Sequence, residues 1–538
     1  MIRCEKRIPP KGEELWDHTG MKNVLNNNFP ILRKKKVSED PHDNLLMIEN
    51  SNFLQEKARK AIIDELQKYG IKISYEFQFP QYISNEDGVY INLATKVGPI
   101  LGQYIKPSTY VNEIKIKQAC EVRYDPMDFR YVFACAQKFS TYLKHNQGKI
   151  IQCLQSYECL DVAVDEIKRS VDLPDNLNQN SEYFKAQVSC IVSFLPLNQP
   201  LYSSVCFGCI MSLMAKTAII RPPTVMKSLF ENLTIVSKFN NFFPNLIISY
   251  DDKNEFIQKN RSVADVVIFT GKYYNAQKVK KQFKENVLFI FNGAGHNPIV
   301  VSKDANIDKA IDSICRVCLQ NQGQDCAAPN SILVHSKISN LVVNKCIQRL
   351  DLIKNCIGDY ANYNNIIGPN TDCSHALKIA RVLYENRNFL QYGGEINPAT
   401  GLIKPIVLVK PLLEGGNFSE LFAPVIILQP YETDEDLKMY FEHPNYKSHA
   451  MYVTLFGTSK YVEILIEKGL HTRDNILHDT DLHVEERGFK PYGGLGIEAS
   501  CIQFYNKIIP GATLPQRDIY TYLIGPSIER TKGISISH

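Results

Sequence analysis

The chain has 538 residues, enough for two or three domains with full cores. Its 22% charged and 44% apolar residues are ordinary for a soluble globular protein, and a formal charge of +4 leaves no electrostatic footprint for nucleic acid. The 15 cysteines form no disulfide framework, which points to a reducing, cytoplasmic setting, and the opening MIRCEKRIPPKGEE holds no apolar secretory core.

In chain order, residues 1–50 are polar, basic and rich in Pro and Asn, the composition of a loosely ordered segment, with Lys34-Lys35-Lys36 as a solvated run. From Phe53 to Tyr69, Leu54, Ala58, Ile62 and Leu66 share one helical face, and Gly70 stops the pattern. Strand-like runs at Ile71–Phe79 and Val89–Ala94 precede a long helical region, Asp128–Val171. Strands and helices then alternate through Ala186–Leu195, Tyr202–Met214, Thr217–Arg221, Val225–Phe230, Asn245–Ser249 and Val266–Thr270. That spacing predicts a doubly wound parallel sheet, although no G-x-G-x-x-G follows any strand. Leu201–Ile220 is the most apolar run, but Lys216 and its Gly and Ser content argue against a membrane span. The pairs Cys206/Cys209 and Cys315/Cys318 sit in apolar helical patterns and read as buried structural cysteines, not as metal ligands.

The segment Phe289–Ser336 concentrates the chemistry. A strand, Val287–Phe291, enters the turn Asn292-Gly293-Ala294-Gly295, and a second strand follows at Pro298–Ser302. Asp304 introduces a helix with Ile307, Ala310, Ile311 and Ile314 on one face. The loop Asn321-Gln322-Gly323-Gln324-Asp325 then delivers Cys326, placed where backbone N–H groups can converge. Such surroundings lower a thiol pKa and make a nucleophile.

Asn321, Gly323, Gln324, Cys326 and Ala328 match, position by position, the N-x-G-Q-x-C-x-A context of the nucleophile in the aldehyde dehydrogenase superfamily, which this chain resembles. Further stretches fall in the same order over roughly three hundred residues. Pro196-Leu197-Asn198-Gln199-Pro200-Leu201 resembles the P-x-N-x-P-L turn whose asparagine donates to the oxyanion. It also explains Leu201–Met214 as a buried helix. Arg221-Pro222-Pro223-Thr224 resembles the K-P-x-E that meets the adenosine ribose, with arginine for lysine and threonine for the acid, a change that favours tolerance of a 2′-phosphate. Thr270-Gly271-Lys272 resembles the F-T-G-S turn at the pyrophosphate, with Lys272 for serine and Ala276 where a second glycine is usual. Glu420 and Phe422 match E-x-F-G-P-V, whose glutamate binds the nicotinamide ribose and whose phenylalanine packs beside the ring; Ala423 replaces glycine. Pro491-Tyr492-Gly493-Gly494 looks like the P-F-G-G loop that closes over substrate.

One departure matters most. The general-base glutamate of the L-E-L-G-G-K-x-P segment falls on Asn292, and an amide takes no proton from water near neutral pH. His296, at the lysine position, lies too far along the turn to be assigned as a substitute base. The resemblance implies an α/β fold: residues 1–75 as an N-terminal extension with one helix, 76–290 as a nucleotide-binding domain with oligomerisation strands near its start, 291–495 as a catalytic domain, and 496–538 as a C-terminal oligomerisation strand and tail. Ser500–Pro510 would be that strand, with Asp518–Gly525 as one more. It implies NAD or NADP as cofactor, no metal, no membrane or nucleic-acid partner, and a homodimer or homotetramer. Cys326 would form a thiohemiacetal and then a thioester, with Asn198 and the Cys326 N–H holding the oxyanion. Three readings remain open: an aldehyde oxidoreductase with a non-standard release step, a CoA-acylating dehydrogenase or acyl reductase, and a silent family member used for binding.

Overall fold

A computed structural model describes residues 128–370, 372–412, 420–505 and 507–531. The helix and strands expected between Phe53 and Ala94 lie outside these residues. Of the described residues, 128–257 and those from 264 onward belong to one compact unit, the one described below.

Two helices open it, α1 (Phe129–Leu154) and α2 (Leu160–Asp175). Asp128 caps α1 by accepting the Arg130 N–H at 2.9 Å, as an N-terminal aspartate does for orphan helix donors. The strands β1 (Val188–Phe194), β2 (Ala215–Arg221), β3 (Leu246–Ile248), β4 (Val266–Thr270) and β5 (Leu288–Asn292) follow. β1 and β5 are buried along almost their whole length because both faces are covered, the burial expected of a parallel sheet between helices. The second sheet takes β6 (Ile299–Val301), β7 (Ile332–His335), β8 (Leu390–Tyr392), β11 (Ile406–Val409), β12 (Val425–Tyr431), β13 (Val453–Phe456) and β14 (Ile476–His478), while β9 (Ile396–Asn397) and β10 (Leu402–Ile403) make a small hairpin. A final pair, β15 (Ser500–Phe504) and β16 (Lys507–Pro510), returns to the first sheet.

The first sheet runs β16-β15-β5-β4-β1-β2-β3, parallel from β5 to β3. Its strand order reverses between β1 and β4. Ligands of open α/β sheets bind outside the carboxyl ends of strands at such a reversal. Here those ends lead into Asn198 from β1 and into Thr270 from β4. The second sheet runs β14-β13-β6-β7-β12-β11-β8 and is parallel apart from β8. Helices α3 (Ile307–Leu319) and α4 (Ser336–Ile353) cover it, with Ile311, Ile314, Val342 and Cys346 in its core.

One C-terminal expectation changes. Ser500–Pro510 forms a hairpin whose first strand pairs antiparallel with β5 of the same chain, Ser500 opposite Asn292. Asp518–Gly525, read as a strand from its aromatic and β-branched residues, is helical. Pro515 opens the turn, the Asp518 carboxylate accepts the Leu514 N–H at 2.8 Å, and Ile519 and Ile524 are buried in the first core. Among the described residues no helix is long and apolar enough to cross a membrane.

Candidate active site

The loop that presents Cys326 is held in an uncommon shape. Asn321, Gln322 and Gly323 are successive left-handed residues with φ of 49°, 58° and 70°. Such backbone costs on the order of 1–3 kcal/mol for a non-glycine residue, so its surroundings must fix it. A Cβ at position 323 would collide with the Ala423 carbonyl, which leaves glycine there. The Gln324 amide donates to Asn370 Oδ1 at 2.6 Å, and the Gln324 carbonyl accepts from Asn198 Nδ2 at 3.1 Å. Asn297 Nδ2 donates to the Cys326 carbonyl at 3.0 Å.

Asn198 is placed from below. It follows β1, Gln199 turns left-handed (φ 54°), and a helical stretch runs over residues 200–213, wound as a π-turn at Val205–Cys209. The buried Glu166 of α2 accepts the Tyr202 N–H at 2.9 Å, satisfying one orphan donor of that stretch. The expectation that Leu201–Met214 is a buried helix holds.

One cavity of about 110 Å³ collects Asn198, Thr270, Asn292, Cys326, Glu486 and Tyr492 along its lining. Cys326 is half-buried, with Sγ 3.0 Å from the Tyr492 hydroxyl. The expected lowering of its pKa is not what the resting site provides. Burial pushes the thiol well above its ordinary range, and the charges of Asp325, Glu420 and Glu486 push the same way against the Tyr492 hydrogen bond. One local N–H is diverted, that of Ala327, which donates to Asp325 Oδ1 at 2.9 Å. Cys206, expected to be buried structure, also lines this cavity, whereas Cys209, Cys315 and Cys318 are buried in helices as expected.

Asn292 ends β5 and is buried, its Oδ1 accepting from the Thr513 hydroxyl at 2.6 Å. His296 stacks on His449 with ring centroids 4.6 Å apart and is no part of the cavity lining. Beside the cysteine, buried Asp325 pairs through Oδ2 with His483 Nε2 at 2.6 Å, and the histidine side chain is itself only 10% exposed. Burial opposes the charge on Asp325, yet the bond to His483 prevails and holds its carboxyl down to about 2; His483 is correspondingly held above its usual value despite its own burial. Arg169 pairs with Glu486 at 3.3 Å and with Asp165 at 2.9 Å. Burial raises the Glu486 carboxyl, with Arg169 opposing.

The remaining expected positions fall in two places. Thr270 lines the cavity, and its buried Oγ1 has no hydrogen-bond partner among the described residues. Gly271 follows with φ 146°, and its N–H donates to the Asn292 carbonyl at 2.9 Å. Glu420 and Phe422 line a smaller hollow with Gly323 and Asp325. Phe422 is left-handed (φ 55°), and His375 Nε2 lies 2.8 and 3.0 Å from the Leu421 and Phe422 carbonyls, holding that turn. Burial pushes the Glu420 carboxyl up to about 7 while the Lys272 charge opposes it, so the two turns act on one another. Arg221 and Thr224 stand apart from the cavity, the guanidinium donating to Thr224 Oγ1 at 2.9 Å and to the Asp251 carbonyl at 3.1 Å. Sequence reasoning missed Asn297, the Asp325–His483 pair, Glu486 and Thr513. Of these, Asn297 and Asp325 lay inside recognised stretches, at positions the pattern leaves open.

The model of the aldehyde dehydrogenase family matches residues 136–454. Among curated proteins, the chain is 24% identical over 338 residues to 4,4′-diaponeurosporen-aldehyde dehydrogenase of Staphylococcus aureus, covering 61% of this chain and 71% of that one. It is 26% identical over 268 residues to benzaldehyde dehydrogenase YfmT of Bacillus subtilis, covering 48% and 53%. The chain thus spans about half the length of some of the curated relatives it matches. Among solved structures it is similar to glyceraldehyde-3-phosphate dehydrogenase GapN from Methanocaldococcus jannaschii complexed with NADP, with a TM-score of 0.59 at 15% identity over 74% of this chain and 90% of that one. At that identity the likeness is one of fold.

Proposed function

Because the chain belongs to the aldehyde dehydrogenase family, oxidoreductases that act on aldehydes with NAD or NADP, we propose that Cys326 captures an aldehyde covalently and that the acyl group leaves without a carboxylate base at position 292. The observation that carries this reading is the convergence of Asn198, Thr270, Asn292 and Cys326, from four separate segments, on one cavity.

The residues present fit the cofactor. Thr270 offers a buried hydroxyl that no described residue satisfies, and Gly271 puts no side chain beside it. Thr270, Gly271 and Lys272 would hold the phosphates, Glu420 and Phe422 the nicotinamide end, and Arg221 with Thr224 the adenosine end. When bound, the nicotinamide supplies the two-electron acceptor.

The chain's own part follows from its geometry. Cys326 Sγ, once deprotonated, adds to the aldehyde carbon, and the carbonyl oxygen becomes an alkoxide. The Asn198 amide and the Cys326 N–H would bear that charge, and loss of one such donor typically costs about 3 kcal/mol. Oxidation leaves an acyl thioester on Sγ. An acceptor then adds to the acyl carbon, the C–S bond breaks, and the acceptor's proton returns to sulfur.

Water is one acceptor and a thiol such as coenzyme A is the other. The amide of Asn292, bonded to Thr513, cannot activate water, and this favours the thiol over unaided hydrolysis. Rapid mixing of aldehyde with NAD or NADP, with and without coenzyme A, tests the reading. The expected trace is a burst of about one reduced cofactor per site followed by slow turnover. Relief of the slow phase by coenzyme A identifies the thiol as acceptor. No burst together with no cofactor binding would leave a binding protein built on the same fold.

A further inference from the structure

The sulfur of Cys326 has one hydrogen-bonding neighbour that the family pattern does not supply. Where P-F-G-G carries phenylalanine, this chain carries Tyr492, and its Oη lies 3.0 Å from Sγ. The ring is fixed from both sides. It packs on Tyr452 at 5.9 Å between centroids, and the Tyr492 backbone exchanges two 2.8 Å hydrogen bonds with Thr513. The next residue, Gly493, is left-handed (φ 114°), and a Cβ there would collide with Ser500, so the loop cannot readily swing the hydroxyl away.

Electrostatics give that hydroxyl a task. The charged groups acting on Sγ are Asp325 from its own loop, Glu420 from the loop before β12, and Glu486 from the segment before β15, all three anionic when ionised. The Tyr492 hydrogen bond eases ionisation, whereas Tyr452 behind it has its hydroxyl turned to the Gly493 N–H at 3.4 Å. A thiolate has no proton to give. In the reactive state the bond between these two atoms therefore runs from oxygen to sulfur.

Resting on the reading of Cys326 as nucleophile, we infer that Tyr492 is a catalytic residue of this chain: its hydroxyl donates to the Cys326 sulfur, sustaining the thiolate for attack and receiving it again when the acyl group leaves. Tyrosine keeps its own proton throughout; the thiol proton passes to solvent water before attack, and the acceptor's proton restores it after the acyl group departs.

The test is Tyr492→Phe, a loss of one oxygen that restores the residue of the family pattern, with Tyr452→Phe beside it. The rate of Cys326 alkylation by iodoacetamide is followed against pH by mass spectrometry of the peptide that contains it. Losing a hydrogen bond to a charged group should move the midpoint up by roughly one to two pH units, a 10- to 100-fold slower reaction below it. The Tyr452→Phe profile should stay with that of the parent protein. An unmoved midpoint in Tyr492→Phe, or an equal shift in Tyr452→Phe, overturns the inference. Absence of a reduced-cofactor burst in the unaltered protein would instead overturn the proposed function, and the alkylation profile would still judge Tyr492.

Discussion

The hydroxyl of Thr513 donates to the side-chain oxygen of Asn292 at 2.6 Å, joining residues 221 apart in the chain. That bond holds an amide at the end of β5, on the wall of the cavity that contains Cys326. A general base contributes roughly 100- to 10,000-fold to a rate, so its loss here falls on thioester release and not on acylation. Asn292→Glu should therefore raise carboxylic acid formation at least about tenfold without changing the burst. Product acid and reduced cofactor measured together check this. Equal or lower acid formation in a soluble, cofactor-binding variant would show that release is handled by another group.

Cys326→Ala should abolish aldehyde-dependent cofactor reduction, by at least about 1,000-fold, while cofactor binding persists. The side chain is half-buried beside a cavity, so its unfolding midpoint should stay close to that of the parent protein. Unchanged turnover would remove the nucleophile assignment.

Asp325 and His483 form a buried pair at 2.6 Å next to the nucleophile. Replacing His483 by leucine strands a buried carboxylate and should destabilise the fold by about 3–5 kcal/mol. The sign with pH follows from the two shifts. His483 is held above its ordinary 6.5, so its contribution is complete below 6.5 and lost as pH rises through its raised value. Asp325 is held down to about 2, so its contribution is present above 3.8 and lost as pH falls towards 2. Urea unfolding should show a larger His483→Leu deficit at pH 6 than at pH 9. An equal deficit at both would mean that packing, not charge, is what the histidine supplies.

Glu420 ionises near 7 because burial raises it. A carboxylate accepts hydrogen bonds from ribose hydroxyls better than its neutral form does. Cofactor affinity should then improve roughly 5- to 10-fold between pH 6 and pH 8, and Glu420→Gln should flatten the dependence. Fluorescence titration of reduced cofactor reads both. A Glu420→Gln profile that still climbs would place the titration elsewhere.

Arg221 reaches Thr224 at 2.9 Å, where the family pattern has an acid. Thr224→Glu would pair that guanidinium and repel a 2′-phosphate, so the ratio of NADP to NAD affinity should fall at least about tenfold. No change in the ratio would separate these residues from the adenosine end.

What could be read from the sequence was what local order encodes. β1 and β5 are rich in β-branched and aromatic residues and almost wholly buried, because both faces are covered, and they were legible as core strands. Asn198, Cys326 and Glu420 each sit in a short stretch whose pattern is its own signal. Residues 518–525 misled because Tyr520, Thr521, Tyr522 and Ile524 favour strand, whereas burial of Ile519 and Ile524 in the first core and the Asp518 bond to Leu514 select helix. The charge environment of Cys326 was illegible for a related reason. Glu486 and Glu420 approach it only through tertiary contacts, and a glycine-rich loop says nothing of distant carboxylates.

The return of β15 to β5 sets an order in time. The sulfur is polymerised 166 residues before the hydroxyl that faces it, and Thr513 later still. Those two hydroxyls take up their places only when the segment from Tyr492 to Thr513 has returned beside β5.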